Sequence, residues 1–132
     1  MITRLFCIAA AGLGFTSCLN KDANTCSATQ VEPAITATGP RTVAVNQAAT
    51  FTLAYMPLTT CGAFESFLEQ ATGTANSYNV GVRVKYSQCT CPASATITQT
   101  TYTFKPTRTG TYYLNFIANT TTGFITDTLV VQ

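Results

Sequence analysis

Four cysteines in the body of the chain are the residues whose chemistry is easiest to specify. They are Cys26, Cys61, Cys89 and Cys91. Because one residue separates Cys89 from Cys91, their Cα atoms would lie about 6.6 Å apart on an extended strand, and strain disfavours a bond between them. We therefore expect two disulfides, joining Cys61 to Cys89 or Cys91 and Cys26 to the cysteine that remains. A four-thiolate metal site is the alternative, but the C-x-C spacing is unusual for zinc, and an oxidising compartment favours disulfides.

The composition excludes several other kinds of chemistry. The 132 residues include no His and no Trp, and the formal net charge is +2. Without His there is no imidazole catalysis, and most zinc and non-haem iron sites are excluded. The net charge is too small for an electrostatic nucleic-acid binder. We therefore predict no catalytic residue, no cofactor, no metal site and no nucleic-acid partner.

Three carboxylates are the remaining candidates for acid–base chemistry. Glu65 and Glu69 lie four residues apart, which could suit a glycosidase pair. The same spacing puts both on the solvated polar face of a helix, and we favour this interpretation. Asp127 lies at the same period-two positions as Ile125 and Leu129, which predicts an inward-pointing structural residue on a strand.

A small binding surface is the other site that the sequence offers. Arg83 and Lys85 share the outward face of one predicted strand. With Tyr78 or Tyr113 they could form a surface for a glycan or an anionic ligand, in which tyrosine supplies the aromatic platform. The more common role of such residues is to keep a sheet face soluble and its edge unreactive.

Residues 1–17 have the organisation of a signal peptide. Arg4 is the only charge, and Leu5 to Phe15 form an uninterrupted apolar run of eleven residues. Crossing a bilayer takes roughly 20 helical residues, so this run is too short to span a membrane. Its length suits the apolar region of a secretory signal.

The end of this segment resembles a bacterial lipoprotein signal. Phe15-Thr16-Ser17-Cys18 is similar to the lipobox, with an apolar residue three positions before the cysteine and small residues between. The resemblance implies that Cys18 becomes the first residue of the mature chain and carries the lipid. Polar residues 18–30 are then a lipid-anchored flexible tether. Leu19 is not the Asp that retains some lipoproteins in the inner membrane, so we expect the outer membrane, on its periplasmic or surface side.

Alternating residues predict seven short strands in the remainder of the chain. Val80, Val82, Val84 and Tyr86 alternate with polar or small residues, the pattern of a strand with one buried face. The chain contains 27 Thr, and such β-branched side chains pack well on the pleated surface of a sheet. The predicted strands lie at 33–38, 42–46, 50–55, 80–87, 96–104, 112–117 and 125–131.

One segment instead predicts a helix. Phe64, Phe67, Leu68 and Ala71 fall at i, i+3, i+4 and i+7, the spacing of one helical face. We expect a short helix at about 63–72, in the long connection between two strands, with its apolar face covering one end of a sandwich.

The C-terminal third resembles immunoglobulin-like domains. Arg108-Thr109-Gly110-Thr111-Tyr112-Tyr113-Leu114 is similar to the turn into their sixth strand, where a tyrosine hydroxyl bonds back to the upstream turn. Tyr112 takes that position, whereas Leu114 stands where those domains have a cysteine. The resemblance implies that residues 31–132 form an all-β, antiparallel, immunoglobulin-like or fibronectin-like sandwich of about seven strands.

The function expected from these features is that of a non-enzymatic envelope lipoprotein. The lipid anchor would attach it to the membrane, and the sandwich would serve as an accessory module that binds an envelope protein. The alternative is a small glycan- or ligand-binding module at the cell surface. A superfold of this kind hosts many functions, so the partner is not identified by the fold.

Overall fold

The computed structural model of the protein describes residues 26–88, 90–119 and 123–132. This part of the chain is all-β: it contains no helix, and its nine strands form two sheets that pack face to face as a sandwich. All seven strands expected from the alternating pattern are present, and two more join them. The strands are β1 (Ala28–Glu32), β2 (Ala34–Thr38), β3 (Thr42–Val43), β4 (Ala49–Tyr55), β5 (Gly62–Ala71), β6 (Ser77–Tyr86), β7 (Thr98–Phe104), β8 (Gly110–Ile117) and β9 (Phe124–Val131).

The two sheets differ in width. The small sheet has three strands in the order β2–β4–β7, whereas the large sheet runs β5–β6–β8–β9–β3. Strand β1 also belongs to the large sheet, because it pairs with residues 82–86 of β6 while β8 pairs with residues 77–80. The small sheet therefore leaves part of the large sheet uncovered.

The strand directions depart from the expected antiparallel arrangement. Five of the seven strand pairs in the described residues are antiparallel, but β6–β8 and β3–β9 are parallel. Parallel neighbours need a crossover connection. Between β6 and β8 the chain crosses to the small sheet as β7, so that β8 returns in the direction of β6.

Large apolar side chains from both sheets fill the space between them. Phe51 lies 5.6 Å from Phe116 and 6.4 Å from Tyr102, measured between ring centroids, and the three rings are almost fully buried. On the large sheet, Val80 and Val82 contribute the alternate positions that the sequence predicted to face inward. Each large apolar side chain buried in this way contributes about 1.5–3 kcal/mol.

The helix predicted for residues 63–72 is wrong, because this segment is strand β5. Its pairing with β6 shifts register between Phe64 and Ser66, so that Glu65 is an extra residue in a β-bulge. The bulge puts Phe64 and Phe67 on the same face, opposite Val84 and Val82, with ring centroids 5.0 Å apart. A spacing of i, i+3 thus arises in a bulged strand, and pairing with residues 78–86 of β6 overrides the local helical pattern.

The first strand in the described residues begins slightly before the expected domain boundary. Strand β1 starts at Ala28, three residues before residue 31, and its residues pair with Tyr86, Lys85 and Val84. Four of its five residues are exposed, which explains why the sequence of this strand looks like a tether. The predicted signal peptide 1–17 and Cys18 lie outside the described residues. Within the described residues, no helix is long and apolar enough to cross a membrane.

One predicted disulfide pairing is confirmed. Cys61 and Cys91 are bonded, with Cα atoms 6.0 Å apart, and join the start of β5 to the loop that follows β6. Next to the bond, Thr60 donates its backbone N–H to Pro92, at 2.9 Å between nitrogen and oxygen. Cys26 is also disulfide-bonded. Cys89, its predicted partner, lies outside the described residues.

The tyrosine predicted to close the turn into β8 adopts the expected geometry. The hydroxyl of Tyr112 donates to the backbone carbonyl of Arg108 at 3.1 Å, and its ring packs 5.4 Å from that of Phe104 between the sheets. Tyr112 is 5% exposed, whereas Tyr113 faces outward and is 42% exposed. Asp127 is half-buried opposite Leu114, on the inward-facing side of β9 as predicted.

Replacing Tyr112 by phenylalanine is expected to lower the free energy of unfolding by about 1–3 kcal/mol, because the Arg108 carbonyl loses its donor in a partly buried place. Urea unfolding of the Tyr112→Phe and Tyr113→Phe variants measures the difference. The second change removes an exposed hydroxyl and should have little effect. Equal effects would show that the Tyr112 hydrogen bond does not stabilise the turn.

Candidate functional site

The outer face of the large sheet carries the predicted basic residues. Arg83 and Lys85 are exposed there, as expected from their alternation with the valines of β6. Arg83 lies 3.8 Å from Glu65, measured from Nη2 to Oε2, and Thr29 donates to the same carboxylate at 3.4 Å. These contacts are solvent-exposed, so the ion pair contributes at most about 1 kcal/mol.

The four residues of the predicted binding surface do not come together. Tyr113 shares the outer face, but it is level with Ser77, which lies six residues from Arg83 along β6, or roughly 20 Å. Tyr78 lies on the inner face, where its ring packs 5.4 Å from that of Phe104. The even spacing of Tyr78 from Val80 could have indicated this from the sequence, whereas the parallel β6–β8 register could not.

A polar network that the sequence analysis missed lies beside Tyr113. The side-chain amide of Asn115 donates to Ser77 Oγ at 3.1 Å and to Asn79 Oδ1 at 3.3 Å, and its Oδ1 accepts from the hydroxyl of Thr126 at 2.9 Å. These side chains belong to three neighbouring strands of the large sheet. The network makes an uncharged polar surface, although most of its hydrogen-bonding groups already bond to one another.

The predicted carboxylate pair is divided between the two faces of the large sheet. Glu65 contacts Arg83 on the outer face, whereas Glu69 accepts a hydrogen bond from the hydroxyl of Tyr102 on the inner face. They therefore share neither a helix face nor a cleft. In the part of the chain that the structure describes, no group of three His, Cys, Asp or Glu is placed to hold a metal ion.

A buried carboxylate lies at the end of β1, where it bonds to the neighbouring strand β6 of the large sheet. Glu32 is 7% exposed and accepts a hydrogen bond from the Tyr86 hydroxyl at 2.5 Å. The same hydroxyl accepts from the backbone N–H of Leu58 at 2.8 Å. Burial raises the pKa of Tyr86 to about 12, and the bond to Glu32 adds to this effect. Burial and the charge of Glu32 also raise the pKa of Tyr55. We call the hydrogen-bonded group of Glu32, Tyr86 and Leu58 the clamp. Its role is structural, because the phenols of Tyr86 and Tyr55 stay protonated.

This clamp predicts a loss of stability at alkaline pH. The folded protein holds the proton of Tyr86 up to about pH 12, whereas an unfolded tyrosine loses it near pH 10. Stability from this group is therefore fully present below pH 10 and falls as the pH rises to 12, by at most about 2–3 kcal/mol. Denaturant unfolding at both pH values should show a smaller fall in Tyr86→Phe than in Tyr113→Phe. Equal falls would contradict this assignment.

Four of the sheet-edge strands carry features that discourage pairing with another chain. Strands β1 and β2 have five residues each, and β3 has two; Pro33 and Pro40 lie close to the two ends of β2. Strand β5 is longer, but it has a bulge and carries Glu65 and Glu69. Short edges, proline, bulges and charges all prevent edge-to-edge association.

Strand β7 has none of these features. Its seven residues, Thr98–Phe104, contain no charge, no proline and no bulge, and β4 is its only strand neighbour among the described residues. Backbone N–H and C=O groups along its free side are therefore available to another strand. The sequence shows the composition of β7, but only the sheet order shows that it lies at an edge.

Beyond this edge, the inner face of β5 presents an aromatic surface. Phe64 is 42% exposed and packs on Phe67, whose ring lies 5.2 Å from that of Tyr102. Glu69 lies one alternate position further along the same face and holds the Tyr102 hydroxyl. We call β7 together with Phe64, Phe67 and Glu69 the open edge. It consists of the unpaired backbone edge of β7 and, beneath it, a floor formed by two aromatic rings, Phe64 and Phe67, and one carboxylate, Glu69.

Comparison of the chain with protein-family models, with curated proteins and with solved structures finds no match.

Proposed function

We propose that this protein is a non-enzymatic, lipid-anchored lipoprotein of the outer membrane. Its sandwich binds an envelope protein, which contributes a strand that pairs with β7 at the open edge. The observation that carries this proposal is the unprotected strand β7 at the side of the narrower sheet. Strand addition gives affinity through main-chain hydrogen bonds and specificity through alternate side chains.

The floor of the open edge supports the same proposal. A strand added to β7 would form a fourth strand of the small sheet and lie over β5. Its inward side chains would cover Phe64, which is 42% exposed, and Phe67, which is half-buried. Removing apolar surface from water contributes roughly 25 cal/mol per Å². A bound strand thus gains apolar contacts as well as backbone hydrogen bonds.

We infer that the sandwich is immunoglobulin-like. Two features support this: the hydrogen bond from Tyr112 to Arg108 at the turn into β8, and the division into a β2–β4–β7 sheet and a sheet that includes β8 and β9. The parallel β6–β8 pair departs from the antiparallel sheets of that class. The anchor rests on the lipobox-like Phe15–Cys18 and on a polar segment that could extend up to roughly 35 Å between Cys18 and Ala28.

The proposal predicts that a partner is lost when the open edge is altered. Tagged full-length protein, purified from detergent-solubilised envelope, should carry a stoichiometric protein partner. Phe64→Ser should release it, whereas Phe124→Ser should not, because Phe124 is a comparably exposed aromatic, 46% against 42%, on the outer face of the large sheet. Equal recovery of the partner with both variants would contradict binding at the open edge.

A second candidate function is glycan binding on the outer face of the large sheet. The uncharged network around Asn115 and the half-exposed Tyr113 favour it, since an aromatic ring beside polar groups suits a sugar. The expected result in this case is glycan binding that Tyr113→Ala abolishes and Phe64→Ser leaves unchanged.

A further inference from the structure

We propose that the strand accepted at β7 carries a basic side chain followed by two apolar side chains at alternate positions, a basic–x–apolar–x–apolar segment running antiparallel to β7. This inference rests on the proposed function and specifies its partner. The observations that carry it are the order of side chains on the floor of the open edge and the direction of the strands around it.

The floor presents two aromatic rings and then a carboxylate at regular intervals. Phe64, Phe67 and Glu69 lie opposite Val84, Val82 and Val80 of β6, so that each is one pleat repeat, about 6.6–6.8 Å, from the next. Inward side chains on an added strand repeat at the same interval. Three consecutive inward positions therefore meet the three floor residues.

Glu69 specifies a basic residue at one of these positions. One oxygen of its carboxylate accepts from Tyr102, and no cation lies within ion-pair distance of Glu69 among the described residues. Arg83, which is nearby in the pairing of β5 with β6, is on the opposite face and contacts Glu65. A Lys or Arg on the incoming strand would give Glu69 an opposite charge, whereas an acidic residue there would be repelled.

The direction of the segment follows from strand orientation. On β7, Tyr102 contacts Phe116 of β8, and Phe104, two residues later, contacts the earlier residue Tyr112 of β8. Strand β7 is therefore antiparallel to β8. Strand β8 is parallel to β6, which is antiparallel to β5, so β7 and β5 run the same way. An added strand pairs more stably when it is antiparallel. Such a strand meets Glu69 first, then Phe67, then Phe64.

The test uses three capped seven-residue peptides and the full-length protein in detergent. The first has Lys, Val and Val at its second, fourth and sixth positions and Thr elsewhere. The second has Glu in place of Lys, and the third is the Lys peptide with alternate backbone nitrogens methylated. Fluorescence anisotropy of labelled peptides measures binding. We expect the Lys peptide to bind about fivefold to tenfold tighter than the Glu peptide, and the methylated peptide not to bind.

Protein variants connect these differences to the floor residues. Glu69→Gln keeps an acceptor for Tyr102 and should make the Lys and Glu peptides equal, whereas Glu69→Lys should reverse their order. Phe64→Ser should weaken the Lys peptide about fivefold or more, and Phe124→Ser should leave it unchanged.

Each other outcome overturns a defined part of the argument. If the Lys and Glu peptides bind equally and only methylation abolishes binding, the basic residue is wrong and strand acceptance stands. If no peptide binds, or the methylated peptide binds equally well, both the inference and the proposed function fail. If sedimentation shows a dimer that Phe64→Ser dissociates, the occupant is a second copy of this chain, which overturns the inference.

Discussion

Replacing Cys61 and Cys91 together by serine is expected to lower the free energy of unfolding by roughly 3–4 kcal/mol, the value for a cross-link that closes a loop of 30 residues. The effect arises because the bond restricts the unfolded chain. In the folded protein, backbone hydrogen bonds from Thr60 to Pro92 and from Ser94 to Leu58 hold the same two segments together. The sandwich should therefore still form, with a lower melting temperature.

Urea unfolding of the double variant against the wild type measures this effect, and circular dichroism shows whether the sheets are retained. A change below about 1 kcal/mol would mean that the unfolded chain is compact without the bond. Single replacements are less informative, because the free thiol could exchange with another disulfide.

The intact protein should also be four hydrogens lighter than its reduced form, with Cys26 joined to Cys89 in a non-reduced digest. Four free thiols or stoichiometric zinc would contradict this.

Replacing Cys18 by serine is expected to abolish lipid attachment completely. The lipobox-like sequence ends at this residue, and a lipoprotein anchor depends on its sulfur and its amine. Several acyl chains anchor a protein stably, since each buried CH₂ contributes about 0.8 kcal/mol and one chain alone is marginal. The Cys18→Ser protein should therefore leave the membrane fraction.

Two measurements check this prediction. Labelled palmitate should enter the wild type and not the Cys18→Ser variant, and globomycin, which blocks lipoprotein signal cleavage, should cause the wild-type precursor to accumulate. Ser17→Ala is a suitable control, because a small residue before the cysteine preserves the motif. Palmitate incorporation that persists in Cys18→Ser would exclude this residue as the anchor.

Local patterns were sufficient to predict most strands of the sandwich. The period of two in β4, β6 and β8 identifies their buried faces, because the side chains of a strand alternate between core and solvent whatever its neighbours are. The turn closed by Tyr112 was also predictable, since its hydrogen bond spans only four residues. The pairing of Cys61 with Cys89 or Cys91 followed from the strain that a C-x-C bond would carry, and the structure selects Cys91.

Only the tertiary structure decided the identity of β5 and the location of the open edge. The bulge at Glu65 gives Phe64 and Phe67 a spacing that is also typical of a helix. This segment is a strand because it pairs with β6, and that pairing is a tertiary contact that local sequence patterns do not specify. The same holds for β7, because edge position depends on which strands are neighbours. Parallel pairing of β6 with β8 likewise separates Tyr113 from Arg83. Alternation is a local property of the chain, whereas register and sheet order arise from packing between distant segments, and the open edge is a property of sheet order.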